Sequence, residues 1–247
     1  MEHARYLQRR GQIEHYFDRT AAQAWERLTS TAPVGRIRAT VRAGRERMRA
    51  TLLSWLPADM SGLRLLDAGC GTGALAQEAA ARGAQVLAID LSPTLVALAR
   101  ERFESGAAAP APGRIDFRAG DMLDERLGDF DHVVAMDSLI HYDSSDIVSA
   151  LQRLSRRTRV SMVFTFAPRT PLLAAMHRVG RWFPRGERAP ALEPQSQQRL
   201  RAGLHDALQP DGAIAGWSEG RSQRIASGFY TSQAWEWTRA ETRVGQQ

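Results

Sequence analysis

Short apolar runs alternate with amphipathic segments through the middle of the chain, from residue 63 to residue 167. Helical patterns such as "SDIVSALQRLSRR" separate several runs that have the length of buried strands: "LRLLDA", "AQVLAID", "RIDFRA", "FDHVVAM" and "VSMVFTF". Strands that alternate with helices are typical of βαβ units. The pattern therefore predicts an α/β fold with five parallel strands at its centre.

The segments on either side of this region carry different patterns. Residues 1–60 have apolar positions at three- and four-residue spacing and predict a helical arm that Pro57 closes. Residues 169–210 combine an amphipathic helix, a Pro/Gly-rich loop and a second helix. The stretch "RSQRIASGFYTSQAWEW" predicts two strands around a turn at Ser227 and Gly228, which would bring the sheet to seven strands.

These patterns divide the chain into an N-terminal helical arm or lid, residues 1–60, and one α/β domain, residues 61–247. Residues 169–210 would form an insertion in that domain that covers a substrate. The small, Pro-rich stretch "SGAAAPAPG" predicts a flexible surface loop at residues 105–113. A length of 247 residues with 43% hydrophobic content is sufficient for one domain with a sizeable core.

Charge and cysteine content limit the classes of partner and compartment. The net charge is +6, the pI is near 10.5, and all 33 basic residues are arginine. Such a surface attracts anions, but no zinc-finger spacing or RNA-binding signature indicates nucleic acid. The chain has no apolar run of about 18 residues and no signal-like start, so we expect a cytoplasmic protein or one on a membrane face. Cys70, the single cysteine, excludes an internal disulfide and suits a reducing compartment.

A glycine-rich loop joins the first predicted strand to the first helix. In "LLDAGCGTGALA", Gly69, Gly71 and Gly73 permit a tight turn and point backbone N–H groups at a ligand over the helix N-terminus. With Ala74 the spacing also fits the dinucleotide pattern, so glycine spacing alone does not choose a ligand. Asp67 disfavours a pyrophosphate and favours a ligand that carries an ammonium group.

Further carboxylates follow the next two strands. Asp90 ends the second strand, where a carboxylate can accept both hydroxyls of a ribose. "DAGCGTG" resembles the first motif of class I methyltransferases, which implies S-adenosylmethionine as cofactor and Leu91 as cover for one face of its adenine. The same resemblance implies that Asp121 receives the adenine amino group and that Met122 packs on the ring.

The loop "MDSLIHYDSSD" follows the fourth strand at the same edge of the sheet. Asp137 and Ser138 are predicted to help hold the methionine portion of the cofactor, and His141 is predicted to contact the methyl acceptor. For His141 an ordinary hydrogen-bonded loop histidine is an equally good interpretation. Asp143 and Asp146 are interpreted as caps of the following helix.

Several longer stretches resemble the magnesium protoporphyrin IX methyltransferases of bacteriochlorophyll synthesis. They are "EHYFDRTAAQAWERLT", "APVGRIRATVRAGRERMRATLLSWLP", "AMDSLIHY", "FTFAPRTPLLAAMHRVGRWFPRGERAP" and "SGFYTSQAWEW". The resemblance implies the class I methyltransferase fold and methylation of one propionate of magnesium protoporphyrin IX to the monomethyl ester. It also implies that Tyr16 and His141 take part in catalysis, and it makes magnesium chelatase the expected partner by pathway.

Three alternatives remain open: a methyltransferase for a quinone or another small molecule, a non-catalytic pigment-binding subunit, and a nicotinamide oxidoreductase. Magnesium belongs to the expected substrate, and we predict no protein metal site. Arginines of the insertion could meet the second propionate or anionic lipid on the cytoplasmic face of a photosynthetic membrane: Arg169, Arg178, Arg181 and Arg185.

Overall fold

The computed structural model of the chain describes residues 2–16, 18, 35–105, 111–169, 192–208 and 216–239. Several predictions fall outside these ranges: residues 19–34 of the helical arm, the middle of the surface loop at 105–113 and most of the insertion at 169–210. Three arginines of the insertion lie in the same undescribed part: Arg178, Arg181 and Arg185.

In the described part of the chain seven strands form one sheet: β1 (Arg64–Ala68), β2 (Gln85–Asp90), β3 (Arg114–Ala119), β4 (Phe130–Ala135), β5 (Thr158–Phe166), β6 (Trp217–Ser227) and β7 (Tyr230–Arg239). Their order is β3-β2-β1-β4-β5-β7-β6. The first five strands are parallel, and β7 lies antiparallel between β5 and β6. The predicted mostly parallel sheet with a C-terminal antiparallel hairpin is confirmed.

The described helices cover the sheet and connect its strands: α1 (Glu2–His15), α2 (Arg36–Ser54), α3 (Ala74–Ala81), α4 (Pro93–Ser105), α5 (Ser144–Ser155) and α6 (Gln197–Leu208). Short 3-10 turns occur at Glu125–Leu127 and Leu139–His141. The carboxylate of Asp143 accepts a hydrogen bond from the amide of Asp146 at 2.9 Å at the start of α5, which confirms Asp143 as a cap; Asp146 lies within the first turn and not at the cap position.

Side chains of the parallel strands alternate between two hydrophobic clusters. Leu66 of β1 joins a cluster with Leu151 of α5, whereas the adjacent Leu65 joins a cluster with Leu52 of α2 and Leu75 of α3. Successive side chains of a strand point to opposite faces, so both faces of the sheet are covered. Burial on both faces explains why β1, β2, β4 and β5 read as apolar runs, whereas the edge strand β3 is mostly exposed.

The last part of the predicted arm packs against the sheet. Met48, Leu52 and Leu53 of α2 are fully buried in the cluster that contains Val134 of β4. From α1, Ile13 is buried in the other cluster. Residues 48–53 thus hold α2 on the sheet, and the boundary between arm and domain at residue 60 stays a prediction.

The C-terminal hairpin is longer than the sequence pattern indicates. β6 begins at Trp217, four residues before the predicted strand, and the turn lies at Gly228 and Phe229. The first residues of β6 are mostly polar because β6 is an edge strand with one face toward solvent, so apolar alternation does not mark its start. Gly228 has φ of 58°, and a Cβ there would lie 2.3 Å from the Thr40 hydroxyl oxygen of α2.

His132 lies inside β4 and is buried, as its position in the apolar run predicts. Its Nδ1 is 2.8 Å from the Ser161 hydroxyl of β5, and burial lowers the pKa of the imidazole. Within the described ranges, no helix is long and apolar enough to cross a membrane.

Candidate active site

Four parallel strands end at the same edge of the sheet, and each end carries a predicted site carboxylate. Asp67 lies in β1, Asp90 ends β2, Asp121 follows β3 and Asp137 follows β4. The parallel register aligns these ends. Ligands of open α/β sheets bind beyond the carboxyl ends of the strands, so the structure gathers the predicted residues where a ligand would lie.

The glycine loop has left-handed backbone at each of its three glycines. Gly69, Gly71 and Gly73 have φ values of 88°, 53° and 79°. The amide of Gly69 donates to the carbonyl of Ile89 at 2.8 Å, and the amide of Gly71 donates to Oδ2 of Asp90 at 2.9 Å. These bonds tie the loop after β1 to the end of β2. The amide of Gly73 donates to the carbonyl of Cys70 at 2.9 Å, so the amides of the three glycines bond within the protein and do not point at a ligand as predicted.

Two of these glycines also lie too close to neighbours to carry a side chain. A Cβ on Gly69 would lie 2.3 Å from the Cβ of Ser138, in the loop after β4. A Cβ on Gly73 would lie 2.9 Å from the ring of Phe117 and 3.1 Å from the Cβ of Ala99. The close approach of the glycine loop to the loop after β4 therefore depends on the missing Cβ of Gly69.

Asp67 is a buried carboxylate placed to receive a cation. The residue is 1% exposed, and its Oδ2 has no hydrogen-bond partner among the described residues. Burial, followed by the charge of Asp90, raises the pKa of Asp67 to about 7, while the amide of Ala76 lowers it by hydrogen bonding. A ligand ammonium would supply the missing partner and favour the ionised carboxylate.

Asp90 is oriented by backbone amides on both of its oxygens. Oδ2 accepts from Gly71 at 2.9 Å, and Oδ1 accepts from Ser92 at 3.0 Å. Burial raises the pKa of Asp90 against the effect of these bonds. Leu91 is partly buried against the hydrophobic cluster that contains Met122. The oriented carboxylate of Asp90 beside the apolar side chain of Leu91 suits a ribose joined to an adenine.

Asp121 is held from two sides. Its Oδ1 accepts from the amide of Leu123 at 2.8 Å, and its Oδ2 accepts from the guanidinium of Arg10 in α1 at 3.1 Å. Met122 is buried beside it. Arg153 donates to the carbonyl of Leu123 at 2.9 Å. Arginines of two different helices therefore hold this segment, Arg10 through the side chain of Asp121 and Arg153 through the backbone of Leu123.

The acceptor loop, Met136–Tyr142, carries the predicted catalytic histidine. His141 ends the 3-10 turn Leu139–His141 and is 6% exposed. Ser138 lies against Gly69, and its hydroxyl oxygen is buried. Asp137 has φ of 54°, and its carboxylate accepts a hydrogen bond from Arg45 at 2.6 Å. The loop is thus packed directly on the glycine loop and joined to α2.

The predicted catalytic tyrosine follows α1 on the same side of the molecule. Tyr16 is partly buried, and burial raises the pKa of its hydroxyl. Ile13, one turn earlier, joins the cluster that contains Leu139 of the acceptor loop. Two residues after Tyr16, the carboxylate of Asp18 accepts a hydrogen bond from the hydroxyl of Thr94 at 2.6 Å. Contacts on either side of Tyr16 therefore hold this segment beside the acceptor loop and the residues that follow β2.

Three of the residues at this edge escape sequence reasoning: Arg10, Asp18 and Arg45. Each lies in the helical arm and meets a partner that is at least 74 residues away in the chain. Arg10 and Arg45 are two of 33 arginines, and no local spacing marks them. Asp18 follows a helical pattern without a motif, so no signal in the sequence would have found it.

Comparison with known proteins supports the methyltransferase interpretation of this geometry. Residues 65–160 match the family described as methyltransferase domain, and residues 135–239 match the family described as magnesium-protoporphyrin IX methyltransferase C-terminus. A crystal structure of magnesium protoporphyrin IX methyltransferase from Synechocystis PCC 6803 with bound SAH superposes with a TM-score of 0.78. It is 25% identical and covers 92% of this chain and 98% of that chain.

The relatives by sequence separate into two groups. Ubiquinone biosynthesis O-methyltransferase of Xanthomonas oryzae pv. oryzae is 38% identical, but over only 52% of this chain and 55% of its own length. Magnesium-protoporphyrin O-methyltransferase of Rhodobacter capsulatus is 44% identical over 94% of this chain and 97% of its own length. The chain therefore belongs to the magnesium-protoporphyrin O-methyltransferase family.

Proposed function

We propose that this chain transfers a methyl group from S-adenosylmethionine to a propionate carboxylate of magnesium protoporphyrin IX, which gives the monomethyl ester. The observation that carries the proposal is the 44% identity with the Rhodobacter capsulatus enzyme over 94% of the chain. That similarity extends well beyond residues 65–160, the part that matches the general methyltransferase domain. The acceptor is therefore inferred from segments that methyltransferases in general do not share.

The residues at the sheet edge fit S-adenosylmethionine. The buried Oδ2 of Asp67 would bind the ammonium group, and the methionine portion would lie along the turn that Gly69, Gly71 and Gly73 form. Asp90 would accept both ribose hydroxyls. Asp121 would accept the adenine amino group, with Leu91 and Met122 on the two faces of the ring. When bound, the cofactor supplies a methyl group on a positively charged sulfonium.

The acceptor needs orientation more than a strong base. A propionic acid has a pKa near 4.3, so at neutral pH it is already an ionised nucleophile. His141 and Tyr16 would therefore orient the carboxylate by hydrogen bonds rather than remove a proton. A carboxylate and a sulfonium neutralise each other as the methyl group moves, so a site that excludes water favours the transfer. Burial of His141 is consistent with such a site.

The surroundings of the enzyme are part of the proposal. The net charge of +6, with all positive side chains being arginine, supports peripheral contact with anionic lipid on the cytoplasmic face of the photosynthetic membrane. The insertion at 169–210 and the arm at 1–60 would cover the porphyrin. Magnesium chelatase is proposed as a partner because the apolar pigment that it releases is poorly soluble in water. Flotation with anionic and neutral vesicles tests the membrane contact.

The experiment that tests the reaction uses purified protein, methyl-labelled S-adenosylmethionine and magnesium protoporphyrin IX, with chromatography of the extracted pigment. Label in a monomethyl ester is the expected result. Label that appears only with a quinol acceptor would favour a quinone methyltransferase. Tight pigment binding without label would favour a non-catalytic pigment-binding subunit, and tight NADH binding would favour an oxidoreductase.

A further inference from the structure

A charged cluster joins the acceptor loop to three distant elements. The carboxylate of Asp137 accepts hydrogen bonds from Arg45 of α2 at 2.6 Å, from Tyr230 of β7 at 3.1 Å and from Ser232 of β7 at 3.2 Å. Thr165 of β5 donates to the same carboxylate at 3.2 Å. These five residues are called the Asp137 cluster below. The Asp137 side chain is 3% exposed, and that of Arg45 is 18% exposed.

The backbone at Asp137 is also unusual. Among the described residues, Asp137 is the one non-glycine residue with positive φ, at 54°. Such a conformation persists in a non-glycine residue only where the surrounding contacts impose it. Here the amide of Asp137 donates to the hydroxyl of Thr165 at 2.7 Å, while the side chain is held by the other members of the cluster. The cluster therefore holds the first turn of the acceptor loop from both backbone and side chain.

The packing of α2 on the hairpin fits this cluster. A Cβ on Gly44 would lie 2.5 Å from the ring of Tyr230, so the ring rests on α2 where that helix has no side chain. Burial, together with the charge of Asp137, raises the pKa of Tyr230, and its hydroxyl stays a hydrogen-bond donor. Arg45 follows Gly44 in the same helix turn. The hairpin and α2 thus present a cation and a phenol to one carboxylate.

We propose that Asp137 and Arg45 are positioning residues, which hold the acceptor loop in its left-handed turn so that His141 faces the transferred methyl group. The residue after Asp137 is Ser138, which lies directly against Gly69 of the glycine loop. A change of the turn at Asp137 would therefore displace Ser138 and His141, while the hydrogen bonds of Gly69 and Gly71 to β2 keep the glycine loop in place. The inference rests on the proposed function of His141.

The positioning role makes a different prediction from a direct contact between Asp137 and the cofactor. If Asp137 held the methionine portion, its loss would weaken cofactor binding. If the Asp137 cluster positions the acceptor loop, its loss lowers kcat while cofactor affinity is kept. Misplacement of a reacting group by about 1 Å is enough for a loss of about 10²-fold.

The test compares Asp137→Asn and Arg45→Met with the control Arg49→Met. Arg49 lies one turn further along α2, pairs with Glu78 at the surface and has no part in the Asp137 cluster. We expect kcat for pigment methylation to fall about 10- to 100-fold in the first two variants. We expect Arg49→Met to keep kcat, and all three variants to keep the Kd for S-adenosylmethionine.

A backbone series separates the turn from the charge. Asp137→Gly keeps the left-handed conformation but removes the carboxylate, whereas Asp137→Ala removes both. Asp137→Gly should therefore retain more turnover than Asp137→Ala. This pair and Arg45→Met also keep the inference testable if Asp137→Asn does not fold, which circular dichroism would reveal.

A double-mutant cycle identifies the route of the effect. If the Asp137 cluster acts through His141, Asp137→Asn should lower kcat in the parent chain but add little in a His141→Ala chain, since the two changes then remove one function. Additive losses, unchanged kcat in Asp137→Asn and Arg45→Met, or losses confined to Kd would overturn the inference. Failure of the proposed function would look different, because the unsubstituted chain itself would not label the pigment.

Discussion

Replacement of Gly69 by alanine tests whether the glycine loop needs its close contact with the acceptor loop. Gly69 has φ of 88°, and the added Cβ would lie 2.3 Å from the Cβ of Ser138. Gly62 is a matched control because its φ is 77° and a Cβ there would meet nothing within 4 Å. Both alanines occupy left-handed backbone, so only Gly69→Ala adds a clash.

The two effects have different sizes. Left-handed backbone costs an L-residue about 1–2 kcal/mol, a penalty that both variants share. Overpacking at a site that cannot relax costs a further amount of about 1–3 kcal/mol, and this applies to Gly69→Ala alone. In a protein of this size each kcal/mol shifts Tm by roughly 2–4 °C. The Tm of Gly69→Ala should therefore lie roughly 2–12 °C below that of Gly62→Ala.

The assay is thermal unfolding, combined with calorimetric titration of S-adenosylmethionine. Gly62→Ala should bind the cofactor like the parent chain, whereas Gly69→Ala should bind it more weakly because the loop is displaced. Because the clash involves the Cβ of Ser138, Ser138→Gly should partly rescue Gly69→Ala, and Ser138→Ala should not. Equal losses in Gly62→Ala and Gly69→Ala, or equal rescue by both serine variants, would refute this reasoning.

Other substitutions at the sheet edge test the remaining roles. Calorimetry should show that the affinity for S-adenosylmethionine increases as the pH rises from about 6 to about 8. The reason is that the pKa of Asp67 is raised to about 7 and only its ionised form attracts an ammonium. Asp67→Asn should bind weakly with a flat pH profile. Without cofactor, Asp67 keeps its proton in the folded chain but releases it near pH 3.9 in the unfolded chain, so the free energy of unfolding should fall as the pH rises from about 4 to about 7. A denaturant series in which that free energy rises over this range would contradict the raised pKa of Asp67. Asp90→Ala should weaken cofactor binding by about 1–3 kcal/mol, and unchanged affinity would exclude Asp90 from the site. His141→Ala should lower kcat by about 10²-fold with little change in cofactor Kd, and loss of cofactor binding alone would remove His141 from the acceptor side.

Local patterns in the sequence were sufficient for the sheet and for most of the cofactor edge. Strands buried on both faces read as apolar runs, and glycines and carboxylates at their ends follow directly from the strand boundaries. Asp67 and Asp90 were predicted in this way, whereas the role of Asp121 was implied by the resemblance to class I methyltransferases. The start of β6 at Trp217 was not, because a polar edge strand lacks apolar alternation.

The assignment to the family, and with it the proposed acceptor, also came from the sequence, because the similarity extends over long stretches outside the general methyltransferase domain. No physical feature of the sheet edge names a porphyrin. The catalytic roles of Tyr16 and His141 are likewise predictions from the resemblance, and the His141→Ala variant tests the second of them.

By itself, then, the sequence determined the order of the elements, the glycine loop and the carboxylates at the strand ends, since each depends on neighbours within one turn or one strand. Only the tertiary structure decided that Arg45 meets Asp137, 92 residues away, and that Arg10 meets Asp121, 111 residues away. The 33 arginines are chemically equivalent along the chain. Which of them reach the site depends on how the helices pack on the sheet and on the place of β7 beside β5, and no local pattern encodes either.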